Sequence, residues 1–279
     1  MRIATWNVNS IRTRVARVVD WLGRADIDAL AMQEIKCRPE QFPLEAFEAA
    51  GYEVAIHGLN QWNGVAIASR VGIEDVEVGF PGQPGFAKGH EGPDAPREAR
   101  ALGATVGGGV RLWSLYVPNG RALDDPHYAY KLHWLDALRA ATAEWLAADP
   151  DLGLVLGGDY NVAPTDVDNG DPTIRVGVST HVSPPERAAF QALLDAGLAD
   201  VVRPTLPTGY TYWDYQQLRF PRDEGMRIDF LLASTSLAAA VVDAEIHREE
   251  RKGEAPSDHV PVVVQLAEDG VDDEPPMLY

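Results

Sequence analysis

The chain has 279 residues, 46% of them hydrophobic, and a formal net charge of −18. That length suits one large α/β domain or two small ones, and no apolar run reaches the roughly 18 residues that a membrane span needs. The single cysteine, Cys37, excludes an intrachain disulfide framework, and residues 1–6 have the pattern of a strand, not of a signal peptide. We therefore expect a soluble, cytoplasmic, monomeric protein without a membrane partner.

The charge argues, taken alone, against nucleic acid as a partner, because an acidic chain repels polyanions. A bound divalent cation would offset carboxylates locally, and acidic and basic surfaces can be segregated on one molecule. Part of the acidity lies in residues 268–279, where five carboxylates stand among glycine and proline. We expect residues 1–267 to form a single domain and residues 268–279 to be an acidic, disordered tail.

Strand-like apolar segments alternate with short helical segments along the whole chain. The first part predicts strands at residues 2–8, 28–33, 52–57 and 64–69, a helix from Ser10 to about Arg24, and a helix at 44–50. Next come a Gly- and Pro-rich loop at 79–95 and a hairpin whose strands, 99–106 and 110–117, flank Gly107-Gly108-Gly109. The remainder predicts helices at 125–148 and 185–196 and strands at 152–158, 227–233, 241–246 and 260–266.

Two of these strands end in a similar way. Trp6-Asn7-Val8-Asn9 and Gly158-Asp159-Tyr160-Asn161 each place a polar pair two residues apart just after an apolar strand. Two similar packed sheets would explain such an echo, and the helical segments then predict an α/β/α sandwich. No linker with a clear change of composition divides the chain.

Polar side chains that can bind a metal occur at five strand ends. They are Asn7, Glu34, Asp159 with Asn161, Asp229, and Asp258 with His259. Such ends tend to gather functional side chains at one edge of a sheet. Hard oxygen ligands suit Mg²⁺ or Mn²⁺, whereas zinc prefers Cys and His.

Each of these residues also has a purely structural interpretation. Asn7 could close a turn, and Asp159 with Asn161 could form an Asx-turn and a helix cap. A lone histidine such as His259 is more often structural than catalytic. Asp229, in an otherwise apolar segment, is costly unless it is paired or hydrogen-bonded. Their joint occurrence favours a site.

Six motifs occur together and in order. They are Gln33-Glu34-Ile35-Lys36, Tyr116-Val117-Pro118-Asn119-Gly120, Gly158-Asp159-Tyr160-Asn161-Val162-Ala163-Pro164-Thr165-Asp166, Trp213-Asp214-Tyr215, Arg227-Ile228-Asp229-Phe230-Leu231-Leu232-Ala233-Ser234 and Ser257-Asp258-His259. With Trp6-Asn7-Val8-Asn9, they make nearly the whole chain resemble exonuclease III and its relatives. These are the Mg²⁺-dependent apurinic/apyrimidinic (AP) endonucleases of the endonuclease/exonuclease/phosphatase superfamily.

The resemblance implies a fold and a reaction. The fold is a DNase I-like four-layer α/β/β/α sandwich of two mainly antiparallel sheets flanked by helices. The reaction is hydrolysis of a phosphodiester 5′ to an abasic site in duplex DNA, with 3′-5′ exonuclease and 3′-phosphodiesterase or phosphatase activity. The cofactor is Mg²⁺, with Mn²⁺ as a substitute, and the partner is duplex DNA with abasic sites or 3′ ends.

The resemblance also implies residue roles. Glu34 would hold the metal with Asn7 and Asp258 nearby, and the ligand set would extend to Asp159, Asn161 and His259. Asp159 would activate or orient the attacking water, and Asn161 would bind that water or a phosphate oxygen. His259 would contact the scissile phosphate, oriented by Asp258. Tyr116 would hydrogen-bond the phosphate, and Asp229 would support the histidine side of the site. The residues leave open whether Asp159 or His259 is the base, and whether one metal or two are bound.

Substrate contacts are predicted on two kinds of residue. The resemblance implies that an aromatic in the region of Trp213 and Phe220 packs against the abasic deoxyribose, and a core tryptophan is the alternative. Four basic residues are candidate phosphate contacts or, alternatively, solvated surface charges: Arg97, Arg100, Arg121 and Lys131.

Two other functions remain as alternatives. A superfamily phosphatase could act on lipid or inositol phosphates, but Trp213, residues 227–234 and Pro118-Asn119-Gly120 favour DNA. A non-catalytic DNA-binding relic is disfavoured by the intact set of carboxylates. The balance of exonuclease and endonuclease activity depends on loop geometry.

Overall fold

The structure, a computed structural model, describes residues 1–87 and 95–267. Its strands are β1 Arg2–Asn7, β2 Ala29–Gln33, β3 Glu53–His57, β4 Val65–Ser69, β5 Ile73–Val78, β6 Ala101–Val106, β7 Val110–Tyr116, β8 Leu154–Asp159, β9 Leu198–Asp200, β10 Asp229–Ser234, β11 Val241–Ile246 and β12 Val262–Leu266. Its α-helices are α1 Ile11–Arg24, α2 Leu44–Ala49, α3 Pro126–Ala148, α4 Pro184–Asp195, α5 Arg219–Arg222 and α6 Thr235–Ala238. Short 3₁₀ helices cover Pro39–Gln41, Asp166–Asp168 and Arg248–Arg251.

The strands form two six-stranded sheets of matching design. Their orders are β11-β12-β1-β2-β4-β3 and β5-β6-β7-β8-β10-β9. One neighbouring pair in each sheet is parallel, β1 with β2 and β7 with β8, and the other pairs are antiparallel. The prediction of two mainly antiparallel sheets is therefore confirmed.

Three apolar layers hold the sandwich together. One lies between the two sheets and includes Ile3, Leu112 and Leu231. A second packs the first sheet against α1, where Trp21 and Leu22 are fully buried. The third packs the second sheet against α3 and α4 through residues such as Trp134, Leu138 and Phe190. The four-layer α/β/β/α arrangement follows, with helices on the outer faces only.

Strand alternation decides which polar residues face the space between the sheets. In β1, Ile3 lies in the inter-sheet core while Ala4 and Trp6 pack toward the helices. Because side chains alternate with a period of two, Asn7 shares the inner face with Ile3. By the same count, Tyr116 shares that face with Leu112, Asp159 with Val155, and Asp229 with Leu231. At one end of the sandwich, the space between the sheets is therefore lined by these polar side chains and not by apolar core residues.

Most predicted elements occur within one or two residues of their expected bounds, which is the normal uncertainty of element ends. Strands β5 and β9 and the short helices α5 and α6 were not predicted. Strands β5 and β9 are edge strands; β5 is largely exposed and β9 has three residues, so neither carries a long apolar signal. Ser10 precedes α1 as predicted, but its side chain makes no capping hydrogen bond.

Two predictions fall partly or wholly on residues outside the described ranges. The loop predicted at 79–95 includes residues 88–94, and the predicted tail is residues 268–279; both segments lie outside the described residues. Within the described ranges, no helix combines the length and the apolar character that crossing a bilayer requires.

Candidate active site at the edge of the two sheets

The polar strand ends meet at one edge of the sandwich. Asn7 is level with Gln33 in the first sheet, so Asn7 and Glu34 end adjacent parallel strands. In the second sheet, Asp159 is level with Tyr116 on one side and with Asp229 on the other. Asp229 begins its strand because β10 runs antiparallel to β8.

Asn7 connects the two sheets. Its Nδ2 donates to Glu34 Oε1 at 2.8 Å and to Asp159 Oδ2 at 3.0 Å. Its Oδ1 accepts from the backbone amide of Asn9 at 3.0 Å. Asn7 therefore closes a turn, as the structural interpretation proposed, and also fixes the separation of two carboxylates that belong to different sheets.

Glu34 stands beside a lysine that sequence analysis did not assign to the site. Lys36 Nζ lies 2.7 Å from Glu34 Oε2 and donates to Asn9 Oδ1 at 2.6 Å. Burial would raise the pKa of Glu34, but the charge of Lys36 and hydrogen bonds from Lys36 and Asn7 lower it below its usual value. Glu34 is thus an anion throughout the neutral pH range.

His259 is held by Asp229. Its Nδ1 lies 2.9 and 3.1 Å from the two carboxylate oxygens of Asp229, and its Nε2 lies 3.7 Å from Asp159 Oδ2. Thr211, also not predicted, donates its hydroxyl to Asp229 at 2.6 Å. Burial alone would lower the pKa of His259, but the carboxylates of Asp229 and Asp159 raise it to about 10. The imidazole is therefore protonated near neutral pH.

The predicted orientation of His259 by Asp258 is wrong. Asp258 Oδ1 instead accepts from Asn9 Nδ2 at 3.0 Å. The carboxylate that contacts His259 Nδ1 is that of Asp229. Asp258 belongs to a chain of contacts that runs through Asn9 to Lys36.

Asp159 lies at the centre of the site and is 1% exposed. Burial raises its pKa to about 7, with Asp229 adding to the effect and the charge of His259 opposing it. Asp159 Oδ1 accepts from the backbone amide of Asn161 at 2.9 Å, which is the Asx-turn of the structural interpretation. The remaining oxygen faces Asn7 and His259, so the same residue closes a turn and presents a carboxylate with a near-neutral pKa.

Hydrogen bonds hold both the side chain and the backbone carbonyl of Asn161. Its Nδ2 donates to Val117 O at 3.0 Å, and its Oδ1 accepts from Asn119 Nδ2 at 3.2 Å. Its backbone carbonyl accepts from Lys131 Nζ at 2.6 Å and from His181 Nδ1 at 2.6 Å. His181 and Asn119 were not predicted as site residues, and only contacts formed after folding identify them.

Three groups, of which Glu34 is only partly buried, could hold a divalent cation. Within the described part of the chain, ligand atoms of Glu34, Asp159 and His259 all lie within 4.8 Å of one another. The carboxylates supply hard oxygen donors, which fits Mg²⁺ or Mn²⁺. The predicted ligand Asp258 is not part of this cluster, and its Oδ1 accepts from Asn9 Nδ2. Metal binding by Asn7 and Asn161 stays a prediction.

Tyr116 lines the second sheet's side of the site. Burial and the charge of Glu34 raise its pKa well above the ordinary tyrosine value, so its hydroxyl keeps its proton. The guanidinium of Arg100 lies 4.9 Å from the centre of its ring. Arg100 is itself buried and paired with Glu98 at 2.7 Å, so the prediction of a surface phosphate contact at Arg100 is wrong.

The same correction applies to Lys131. Its side chain is fully buried and forms an ion pair with Glu186, which is buried as well. Arg97 and Arg121 are exposed, and their predicted phosphate contacts stay predictions.

The aromatic residues are not arranged as predicted. Trp213 is 1% exposed and packs edge-on against Phe220, with ring centroids 5.1 Å apart. Arg248 covers Phe220 at 4.3 Å. Trp213 therefore belongs to the core of its loop, which is the alternative that the sequence left open. Tyr212 is the aromatic that reaches the site, with its ring 4.9 Å from His259, because it points to the other side of the extended segment from Trp213.

Comparison with known proteins gives consistent results. The sequence profile of the Endonuclease/Exonuclease/phosphatase family matches residues 4–259. Exodeoxyribonuclease III of Haemophilus influenzae is 30% identical over 274 residues, which cover 94% of this chain and 98% of that protein. A 3′ phosphatase, NExo, from Neisseria, solved with a product DNA hairpin, is 39% identical with a TM-score of 0.87, covering 96% of this chain and all of that one. An AP endonuclease from Archaeoglobus fulgidus is 36% identical with a TM-score of 0.84, covering 95% of this chain and 99% of that one.

Proposed function

The chain belongs to the endonuclease/exonuclease/phosphatase family, and we propose that it is a metal-dependent DNA repair nuclease of the exonuclease III and AP-endonuclease type. It hydrolyses the phosphodiester 5′ to an abasic site in duplex DNA, and it also acts on 3′ ends as an exonuclease and a phosphatase. The names of its relatives, an exodeoxyribonuclease III, an AP endonuclease and a 3′ phosphatase bound to DNA, support this substrate class.

One observation carries the proposal. Glu34 from the first sheet and Asp159 from the second converge with His259 within 4.8 Å, bridged by Asn7. Carboxylates of two sheets and a charged imidazole, buried together at one edge, are costly to fold unless they serve a site. Their chemistry suits a phosphodiester, which needs an activated water, a cation against its oxygens and a proton acceptor.

Glu34 would hold the divalent cation beside Asp159, and for this cation we propose Mg²⁺, with Mn²⁺ as a substitute. Such a cation, when bound, polarises phosphate oxygens, offsets charge on the leaving 3′-oxygen and lowers the pKa of a ligated water. Since His259 is protonated, its imidazole suits contact with the phosphate better than metal ligation, for which a nitrogen lone pair is needed.

Asp159 is the better candidate for the base. In the metal-free protein its pKa is about 7, so it can accept a proton near neutral pH, whereas His259 already carries one. Asp159 would take the proton of the attacking water as the new P–O bond forms and the bond to the 3′-oxygen breaks. His259, held by Asp229 and Thr211, and the protonated hydroxyl of Tyr116 would donate hydrogen bonds to the phosphate oxygens.

The test is a substrate panel with and without metal. A duplex with an internal abasic analogue, a recessed 3′ end and a 3′-phosphate end should each be hydrolysed with Mg²⁺ and untouched with EDTA. Inositol phosphates serve as the competing substrate class. If inositol phosphates are hydrolysed while no DNA substrate is cleaved at any Mg²⁺ or Mn²⁺ concentration, the proposal is wrong. The relative rates on the three DNA substrates set the balance of endonuclease and 3′-end activity.

A further inference from the structure

His181 is a buried histidine with an uncommon backbone conformation. It lies between the 3₁₀ helix Asp166–Asp168 and α4, is 8% exposed, and has a φ of 75°. Residues other than glycine rarely adopt this left-handed conformation, because the Cβ atom crowds the following carbonyl oxygen. Glycine would occupy the position at a lower free energy. A strained residue next to a site therefore directs attention to what its side chain does there.

Hydrogen bonds hold the backbone of His181 on both sides. Its amide donates to Glu186 Oε1 at 2.8 Å, and its carbonyl accepts from the amide of Ala163 at 2.7 Å. Glu186 lies in the first turn of α4, and Ala163 comes two residues after Asn161. These contacts keep the strained backbone in place and direct the imidazole toward the segment that carries Asn161.

The imidazole contacts the backbone of Asn161. His181 Nδ1 lies 2.6 Å from the carbonyl oxygen of Asn161, and Lys131 Nζ donates to the same oxygen at 2.6 Å. Asn161 also has a left-handed backbone, with a φ of 51°. Because a side chain adopts only a few rotamers on a given backbone, fixing this carbonyl also limits where the amide of Asn161 can point.

Backbone groups decide the orientation of the neighbouring side-chain amides. The carbonyl of Val117 can only accept, so Nδ2 is the atom of Asn161 that faces it, and Oδ1 of Asn161 faces Asn119 Nδ2 at 3.2 Å. The amide of Arg121 can only donate, and it donates to Asn119 Oδ1 at 3.0 Å. Asn119 Nδ2 therefore also faces His181 Nε2, 3.5 Å away, and that nitrogen accepts. The hydrogen of the neutral imidazole is then on Nδ1, where it is donated to Asn161.

This arrangement leaves one hydrogen of the Asn161 amide available. Oδ1 is engaged by Asn119, and one hydrogen of Nδ2 is donated to Val117. Among residues 1–87 and 95–267, Nδ2 has no second acceptor. The remaining N–H can donate to an oxygen of a water or a phosphate.

We propose that His181 is a positioning residue for Asn161, whose carbonyl it holds and whose amide it orients through Asn119, so that Asn161 meets the substrate with an N–H and not with Oδ1. His181 acts through Asn161 and does not itself touch the reacting atoms. The inference rests on the proposed function and on the predicted contact of Asn161 with the attacking water or a phosphate oxygen.

Two variants separate the imidazole from the backbone conformation. His181→Gly removes the side chain and relieves the left-handed backbone, whereas His181→Asn keeps a side-chain N–H close to the Nδ1 position and tolerates positive φ. In single-turnover cleavage of an abasic duplex at saturating enzyme, His181→Gly should be about tenfold slower, with duplex affinity in EDTA changed less than about twofold. His181→Asn should recover most of the rate. His133→Asn, exposed on α3, is the matched control and should change neither.

A double-mutant cycle separates positioning from a general structural role. In an Asn161→Ala background, His181→Gly should slow cleavage less than about twofold, because the side chain through which His181 acts is gone. ¹⁵N NMR of the metal-free protein should find the imidazole hydrogen of His181 on Nδ1.

Four results would overturn the inference. They are a wild-type rate in His181→Gly, a His181→Asn variant as slow as His181→Gly, equal slowing with and without the Asn161 side chain, and an imidazole hydrogen on Nε2. A wild type that cleaves no DNA substrate would instead overturn the proposed function.

Discussion

The two sheets deliver similar residues to the active site but place them in different electrostatic surroundings. Asn7 and Asp159 each end the third strand from one edge of a six-stranded sheet, and each strand pairs in parallel with its neighbour. On the first sheet, Lys36 lowers the pKa of Glu34. On the second, burial and Asp229 raise the pKa of Asp159 to about 7. Near neutral pH, Glu34 is therefore always an anion, whereas Asp159 can take up a proton.

The ion pairs next to Glu34 and behind Asp159 also differ, in their exposure to water. Lys36 and Glu34 are 27% and 17% exposed, so water reaches their ion pair. Behind Asp159, Lys131 and Glu186 pair at 0% exposure and hold the backbone of Asn161. A wet ion pair suits a ligand site that exchanges a cation with solvent, whereas a dry one holds a base in a fixed place.

The largest effect should come from removing the carboxylate of the second sheet. Asp159→Asn keeps the shape and the bond to the amide of Asn161 but cannot take a proton, so we expect the rate to fall about 10⁴-fold. Single-turnover cleavage of an abasic duplex, beside a binding measurement, checks this. DNA binding should persist, and exposed Asp151→Asn serves as the control. Near-normal turnover in Asp159→Asn would transfer the role of base to another group.

Breaking the buried Lys131–Glu186 ion pair behind the second sheet should have the next largest effect. Lys131→Met leaves the Glu186 carboxylate without its charge partner in a dry interior, so we expect a loss of about 3–5 kcal/mol in the free energy of unfolding. Chemical denaturation measures it. Lys252→Met, whose lysine is 55% exposed beside Glu249, should change stability by less than about 1 kcal/mol. Equal effects in the two variants would contradict a structural difference between the pairs.

Asp229→Asn tests the charge that sets the second sheet apart. The variant removes the partner that orients His259, so we expect cleavage to slow about 100-fold, together with a loss of stability because a buried charge pair is broken. It also removes a carboxylate that raises the pKa of His259 from its usual 6.5 to about 10, so that pKa should fall. NMR titration of the imidazole in the metal-free protein measures the shift. An unchanged pKa would mean that Asp159 alone keeps His259 protonated.

Glu34→Gln neutralises a carboxylate at the end of the first sheet. Because the amide can still contact Asn7 but binds a cation weakly, we expect the Mg²⁺ concentration for half-maximal rate to rise about thirtyfold. High Mg²⁺ should recover part of the rate, which it should not do for Asp159→Asn. A Mg²⁺ titration of both variants makes the comparison. Identical Mg²⁺ responses would show that the two carboxylates share one role.

Local sequence is sufficient to identify the strands other than the edge strands β5 and β9, the main helices and the residues at the strand ends, because periodicity and turn residues depend on neighbours along the chain. It also places Asn7, Glu34, Asp159 and Asp229 at those ends, and the motifs identify the family. It cannot distinguish Asp258 from Asp229 as the partner of His259. Asp258 is the neighbour in sequence, but Asp229 is the one in contact.

The remaining features depend on contacts between segments far apart in the chain. Lys131 and Arg100 read as surface cations until α3 and β6 bury them against Glu186 and Glu98. Trp213 and Tyr212 are adjacent, and only their packing shows that the tyrosine reaches the histidine. The unequal pKa values of Glu34 and Asp159 arise from burial and from charges brought in by other strands. Composition and periodicity do not encode these long-range electrostatic effects, so they appear only once both sheets have closed on one another.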